Sequence, residues 1–181
     1  MQRRKFLAAT AAAIPAIAIG KEIPAQRTGK GFVVKAKKSR FEETTKLYGN
    51  SPNDIKVSMK DTNGDLTIFE YTGNVKGGPP LHIHLHQDEI FFIVEGNYTF
   101  KVGDDIHQLT VGDTIFLPRQ VPHAFAQTSE TGKMFFLFTP SGKMEEYFRV
   151  LGKLTAPPTP EQGAKIFAEH DMKVVGPPLE V

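Results

Sequence analysis

The chain has 181 residues, a formal charge of +2 and no cysteine. That length suits one domain of ordinary size, and the missing cysteines exclude a disulfide-built scaffold. A charge so near balance offers no concentrated basic face for a nucleic-acid partner: Lys35, Lys37, Lys38 and Arg40 are offset by Glu42 and Glu43 and read as solvated surface.

The first twenty residues do not read as part of a fold. Arg3 and Arg4, then Lys5, Phe6, Leu7 and an alanine-rich stretch, resemble a twin-arginine export signal. The apolar stretch is shorter than the ~20 residues a bilayer-spanning helix needs. Ala16-Ile17-Ala18 or Ile23-Pro24-Ala25 supplies a small-residue cleavage site. Residues 1–25 are therefore expected to act as signal peptide and leader. The mature chain, about 155 residues, is expected to be periplasmic or secreted, near neutral, and free of the membrane.

Val33-Val34 marks an expected first strand. Residues 55–60 and 66–71 alternate around Asp61-Thr62-Asn63-Gly64, and Asn-Gly between alternating runs is a strong hairpin signal. A turn-rich loop over 73–80 leads into a strand carrying His82 and His84. Residues 89–94 and 98–102 predict a second hairpin across Gly96-Asn97. Short strands follow over 106–109, 114–117, 123–127 and 133–138, punctuated by Gly103-Asp104-Asp105 and Val111-Gly112-Asp113. A helix is expected over 143–151, then a stiff Ala156-Pro157-Pro158 linker. A second helix opens with Thr159 as N-cap and Pro160 in its first position. Many short strands with regular turns predict an all-β sandwich or barrel. It is expected to span 26–155, with a linker and helix over 156–181.

Four side chains in this pattern carry chemistry. A strand sends alternate side chains to one face, so His82 and His84 project together. A short turn lets Glu89 head the next strand facing the same interior, and His123 follows Pro122 at the start of a later strand. Three imidazoles and a carboxylate suit one divalent first-row metal, whether iron, manganese, cobalt, nickel, copper or zinc. On a six-coordinate ion they leave positions open, as a catalytic site requires. His86 continues the alternation and is expected at the pocket rim, while His107 and His170 read as surface residues.

These residues resemble the cupin superfamily. Its first motif matches His82, His84, Glu89 and Gly96, with Gly77 or Gly78 nearer than the family's leading glycine. Its second motif matches Gly112, Pro118 and His123; Gln120 stands where the family has glycine, and Gln127 where it often has asparagine. The stretch from Phe138 to Gly142, then Glu145, Glu146, Tyr147 and Phe148, is similar to single-domain quercetin 2,3-dioxygenase-like cupins. The resemblance implies a cupin jelly-roll barrel with C-terminal helices and a homodimer. It also implies metal binding by His82, His84, Glu89 and His123, with Glu89 as catalytic base as well as ligand. H-x-H occurs once, so one cupin unit is expected rather than two.

Fourteen phenylalanines against no tryptophan predict an aromatic core. Strand parity places Phe91 and Ile93 on the face of Glu89 and Phe125 on that of His123. With Phe116 they are the expected substrate-pocket residues. An apolar cavity beside a metal favours an aromatic ligand over a sugar. The expected activity is a metal-dependent dioxygenase acting with dioxygen on a flavonol-like or enolic aromatic small molecule. A non-redox isomerase or lyase and a non-catalytic ligand-binding cupin are the alternatives, because fold alone does not settle chemistry.

Overall fold

A computed structural model describes residues 27–47 and 49–181. The expected export signal over 1–25 lies outside them. Among the described residues no helix is long and apolar enough to cross a membrane.

Two antiparallel sheets form a jelly roll. The strands are β1 (Thr44–Leu47), β2 (Ser51–Val57), β3 (Thr67–Gly73), β4 (Pro80–His84), β5 (Asp88–Glu95), β6 (Tyr98–Val102), β7 (Asp105–Leu109), β8 (Thr114–Leu117), β9 (His123–Gln127), β10 (Gly132–Thr139) and β11 (Met172–Pro178). The helices are α1 (Met59–Thr62), α2 (Met144–Leu151) and α3 (Pro160–Glu169). One sheet runs β1-β2-β3-β10-β5-β8 and the other β11-β4-β9-β6-β7.

Three sequence expectations change here. Val33 and Val34 form no strand, and Val33 is 79% exposed; two β-branched residues without a partner strand make no ladder. Gly96-Asn97 closes no hairpin, because β5 pairs with β10 and β8 while β6 pairs with β7 and β9. The turn carries the chain from one sheet to the other, so the inward residues of β5 and β6 face each other across the core. Phe91 and Phe100 meet this way with ring centroids 5.1 Å apart. Finally, the barrel does not end before 156: β11 returns after α3 and pairs along β4. Its sequence, with Gly176, Pro177 and Pro178, hides a strand whose register breaks between Val174 and Pro178.

The pairing of β2 with β3 matches expectation, but the connection is a capped helical turn. Ser58 and Asp61 form a capping box on α1, and Asn63 ends it in the left-handed conformation. Helix α2 buries Met144, Tyr147, Phe148 and Leu151, the i, i+3, i+4, i+7 face of an amphipathic helix. Its buried Glu145 accepts from Met59 N, from the hydroxyls of Ser58 and Thr67, and from Arg149. One carboxylate thereby fixes the helix against the β2–β3 corner. Thr159 and Gln162 form the capping box that opens α3.

The interior is layered along the strands. Cross-strand register aligns Glu89 with Phe138, Phe91 with Phe136 and Phe69, and Ile93 with Met134, Tyr71 and Asn53. The opposite sheet aligns His82 with His123, Phe125 with Phe100, and Gln127 with Tyr98. The middle layer is aromatic: Phe69 and Phe91 each stack on Phe136, at 5.1 and 5.4 Å. A packed aromatic layer therefore lies next to the donor layer.

Candidate metal centre

His82 and His84 project inward from β4 by strand alternation, and His123 lies directly across from His82 in register. Glu89 enters from β5 in the other sheet, after a three-residue turn. That turn is held at its ends: Leu85 N donates to Asp171 O, and Gln120 N donates to His84 O. Gln120 takes the positive φ, +65°, that its motif position calls for, although it is not glycine. Asp88, next to Glu89, accepts from the Arg119 backbone and guanidinium, which anchors the start of β5 beside the turn before His123.

The four side chains predicted to meet do so. Their donor atoms all lie within 4.8 Å of one another. Glu89 Oε2 is 3.4 Å from His123 Nε2 and 3.6 Å from His84 Nε2, and the Nε2 atoms of His82 and His84 are 3.3 Å apart. All four residues are buried. His82 Nδ1 donates to the Pro80 carbonyl at 2.8 Å and His123 Nδ1 to the Val121 carbonyl at 2.9 Å. Each bond fixes the tautomer whose Nε2 lone pair faces the cluster.

Burial, with the nearby His123, pushes the His82 imidazole down to about 3. Burial also pushes His84 well below the ordinary range, helped by both neighbouring imidazoles. The carboxyl of Glu89 is driven up by burial, against the weaker opposing pull of the nearby His123. The His82 and His84 rings are thus held neutral, as metal ligands must be, and the buried carboxylate lacks a full counter-charge. His123 Nε2 is buried without a hydrogen-bond partner. An unpartnered ring nitrogen, two further Nε2 atoms and a carboxylate converging on one point fit a divalent transition metal.

The cluster closes one end of a cavity of about 1030 Å³. Phe91 and Phe125 line it as expected. Ile93 is buried one layer away and is not among the lining residues. Phe116 does not face the cavity: it sits on the outer side of β8, 55% exposed, and its neighbour Leu117 points inward instead. Alternation along β8 explains the difference, since the register sets Leu117 opposite Glu89. His86 and His107 are exposed, and His86 is not among the lining residues. His170, expected at the surface, is 4% exposed; its Nδ1 donates to Ile166 O and its ring packs on Tyr147.

Much of the wall comes from residues the sequence does not assign to a pocket: Tyr71, Tyr147, Phe148, Phe167, Met172 and Val174. The apolar face of α2 is legible as a face, and Tyr71 shares strand parity with Phe69. Nothing in the order of residues shows that α2, α3 and β11 close over β4. Phe167 reaches the cluster itself, edge-on to His82 at 5.2 Å.

Comparison with known proteins follows the same lines. Residues 70–140, which hold all four donors, match the family model described as Cupin domain. Over 106 residues the chain is 28% identical to the Quercetin 2,3-dioxygenase of Bacillus subtilis (strain 168). That match covers 59% of this chain and 31% of the enzyme, so the chain spans about a third of that relative's length. An RmlC-like cupin from Shewanella frigidimarina aligns with a TM-score of 0.53 at 19% identity, covering 64% of this chain and 96% of that one. A predicted oxalate decarboxylase from Thermotoga maritima aligns with 0.52 at 15% identity, covering 61% and 99%. Both share the two-sheet jelly roll with this chain.

Proposed function

We propose that this chain is a metal-dependent oxidoreductase that uses dioxygen on an enolic, flavonol-like aromatic. The observation that carries the reading is the cluster of four buried donors at the end of a large cavity lined mainly by aromatic and aliphatic side chains. His82, His84, Glu89 and His123 would hold the metal. A bound divalent metal supplies Lewis acidity toward a substrate oxygen and, where redox-active, a path for electrons to dioxygen.

The protein's own groups do the rest. Phe91 and Phe125 offer ring faces and edges on which a flat aromatic packs, and their bulk keeps water from the donors. Glu89 Oε2 accepts the proton of an enolic hydroxyl placed beside it. Its carboxylate, buried beside the other donors, lies within reach of a hydroxyl bound at the same point. The Nε2 lone pairs of His82 and His84 would be committed to the metal, so those rings do not compete for that proton. The match to the Bacillus subtilis Quercetin 2,3-dioxygenase supports the choice of substrate class.

The test is metal analysis of the purified chain, followed by oxygen-electrode assays on 3-hydroxyflavone with and without air. Oxygen uptake tied to loss of the flavonol, and abolished by His82→Ala and His84→Ala, is the expected result. Turnover of an enolic substrate without oxygen uptake replaces this reading with a lyase or isomerase. Ligand binding that survives both substitutions replaces it with a binding module.

A further inference from the structure

The cavity holds polar groups at a second level, well removed from the donors. Tyr71 and Ser51 line it together, and burial pushes the Tyr71 phenol up against the opposing influence of the neighbouring Ser51 hydroxyl. Ser51 Oγ also accepts from Asn74 N at 3.4 Å. Asn53 stands across from Tyr71 in the β2–β3 register, on the same strand face as Ser51 and Ile55. Its side chain is wholly buried, and neither Oδ1 nor Nδ2 has a hydrogen-bond partner. Asn53 does not itself line the cavity, so Tyr71 and Ser51 are the polar groups that a ligand meets at this level. The Gln127 amide at a similar depth is already engaged with Gly73 O, Ser129 O and Tyr98.

Register gives the separation. Tyr71 aligns with Met134 and Ile93, and Ile93 lies four residues along β5 from Glu89. At ~3.3 Å per residue the two levels are roughly 13 Å apart. The wall between them is apolar, with Phe91, Phe125 and Phe136. A single aromatic ring cannot span that interval, whereas two or three linked or fused rings can.

We infer that Tyr71 and Ser51 form a second recognition station that selects elongated aromatics bearing a hydroxyl or carbonyl remote from the metal end. The inference rests on the enolic-aromatic reading above and adds a specificity element to it. A ligand with oxygens at both ends satisfies both polar stations; a ligand lacking the far oxygen strands Tyr71 and Ser51 against an apolar edge. Sites built to hydrogen-bond a hydroxyl discriminate strongly against analogues that lack it.

The experiment measures binding of two matched probes, 3-hydroxyflavone and its 4′-hydroxylated counterpart, to the metal-loaded full-length chain without oxygen. Wild type is expected to hold the 4′-hydroxylated probe about tenfold or more tighter. Tyr71→Phe and Ser51→Ala are expected to bring that ratio within about twofold, with metal content unchanged. Melting temperature verifies that both variants fold. Equal binding of the probes by wild type, or a ratio that survives both substitutions, overturns the second station and leaves the enolic-aromatic reading standing. If neither probe binds wild type, the enolic-aromatic reading itself falls.

Discussion

Replacing Glu89 by Gln separates a metal ligand from a structural ion-pair partner, because the two roles make opposite predictions for stability. Glu89 is 5% exposed, and the imidazoles of His84 and His123 approach it only at 3.6 and 3.4 Å. In the metal-free protein the carboxylate is therefore buried without a full counter-charge. Gln keeps its shape and removes that burden, so metal-free stability is expected to stay within ~1 kcal/mol of wild type or to rise. Metal reverses the order. At a free concentration 100-fold above its dissociation constant, a metal bound only to the folded state adds about 2.7 kcal/mol. For a chain of this size that is about 5–11 °C in melting temperature, at about 2–4 °C per kcal/mol. Supporting groups outside the coordination sphere alone change metal affinity by about 10–100-fold, so losing a donor costs at least about 100-fold. The same metal concentration then stabilises Glu89→Gln by only ~0.4 kcal/mol, about 1–2 °C. Thermal melts with and without added Mn²⁺, Ni²⁺ or Zn²⁺ read both quantities. A metal-free variant weakened by about 3 kcal/mol or more, with the metal-induced rise intact, refutes the metal role and makes Glu89 an ion-pair anchor.

Other outcomes follow from the packing. Glu145→Ala removes the acceptor shared by Met59 N, Ser58, Thr67 and Arg149; a loss of about 3–5 kcal/mol is expected in urea titration, and a loss below 1 kcal/mol contradicts its anchoring role. Gln120→Gly relieves a non-glycine residue at φ +65°; it is expected to raise stability by roughly 0.5–1 kcal/mol without changing metal affinity. Gly78→Ala sets a methyl group 1.8 Å from the Phe125 carbonyl oxygen. The resulting shift of Phe125 at the cavity wall is expected to weaken 3-hydroxyflavone binding, read by fluorescence titration. Acid stability turns on carboxylates held low by arginine hydrogen bonds: Asp61 by Arg40, Asp88 by Arg119 and Glu43 by Arg149. A depressed folded value stabilises fully above the unfolded range of about 3.9–4.3 and is lost as pH falls through the lower folded value. Metal-free stability should fall already from pH 7 to 5, because unfolded His82 and His84 take up protons that the buried folded rings refuse, and fall further below about pH 4 as these carboxylates protonate. Asp61→Asn should flatten that drop, although Glu89, with its raised carboxyl, acts in the opposite sense.

The sequence by itself determined the donors and most of the ladder. His82 and His84 two apart, Glu89 after a short turn and His123 at a strand start are local statements, because strand alternation fixes which side chains share a face. The strands over 114–117 and 123–127, the α2 face and the Thr159 cap were legible for the same reason. Tertiary structure alone decided which strands face each other. It sent the Gly96-Asn97 turn between sheets, placed Phe116 outside and Leu117 within, and brought β11 alongside His82. It also set Tyr71, Ser51 and Asn53 together about four strand residues from Glu89. These outcomes depend on pairings between segments far apart in the chain, chosen by how two sheets and two helices jointly bury their apolar faces. No window of local sequence carries that information.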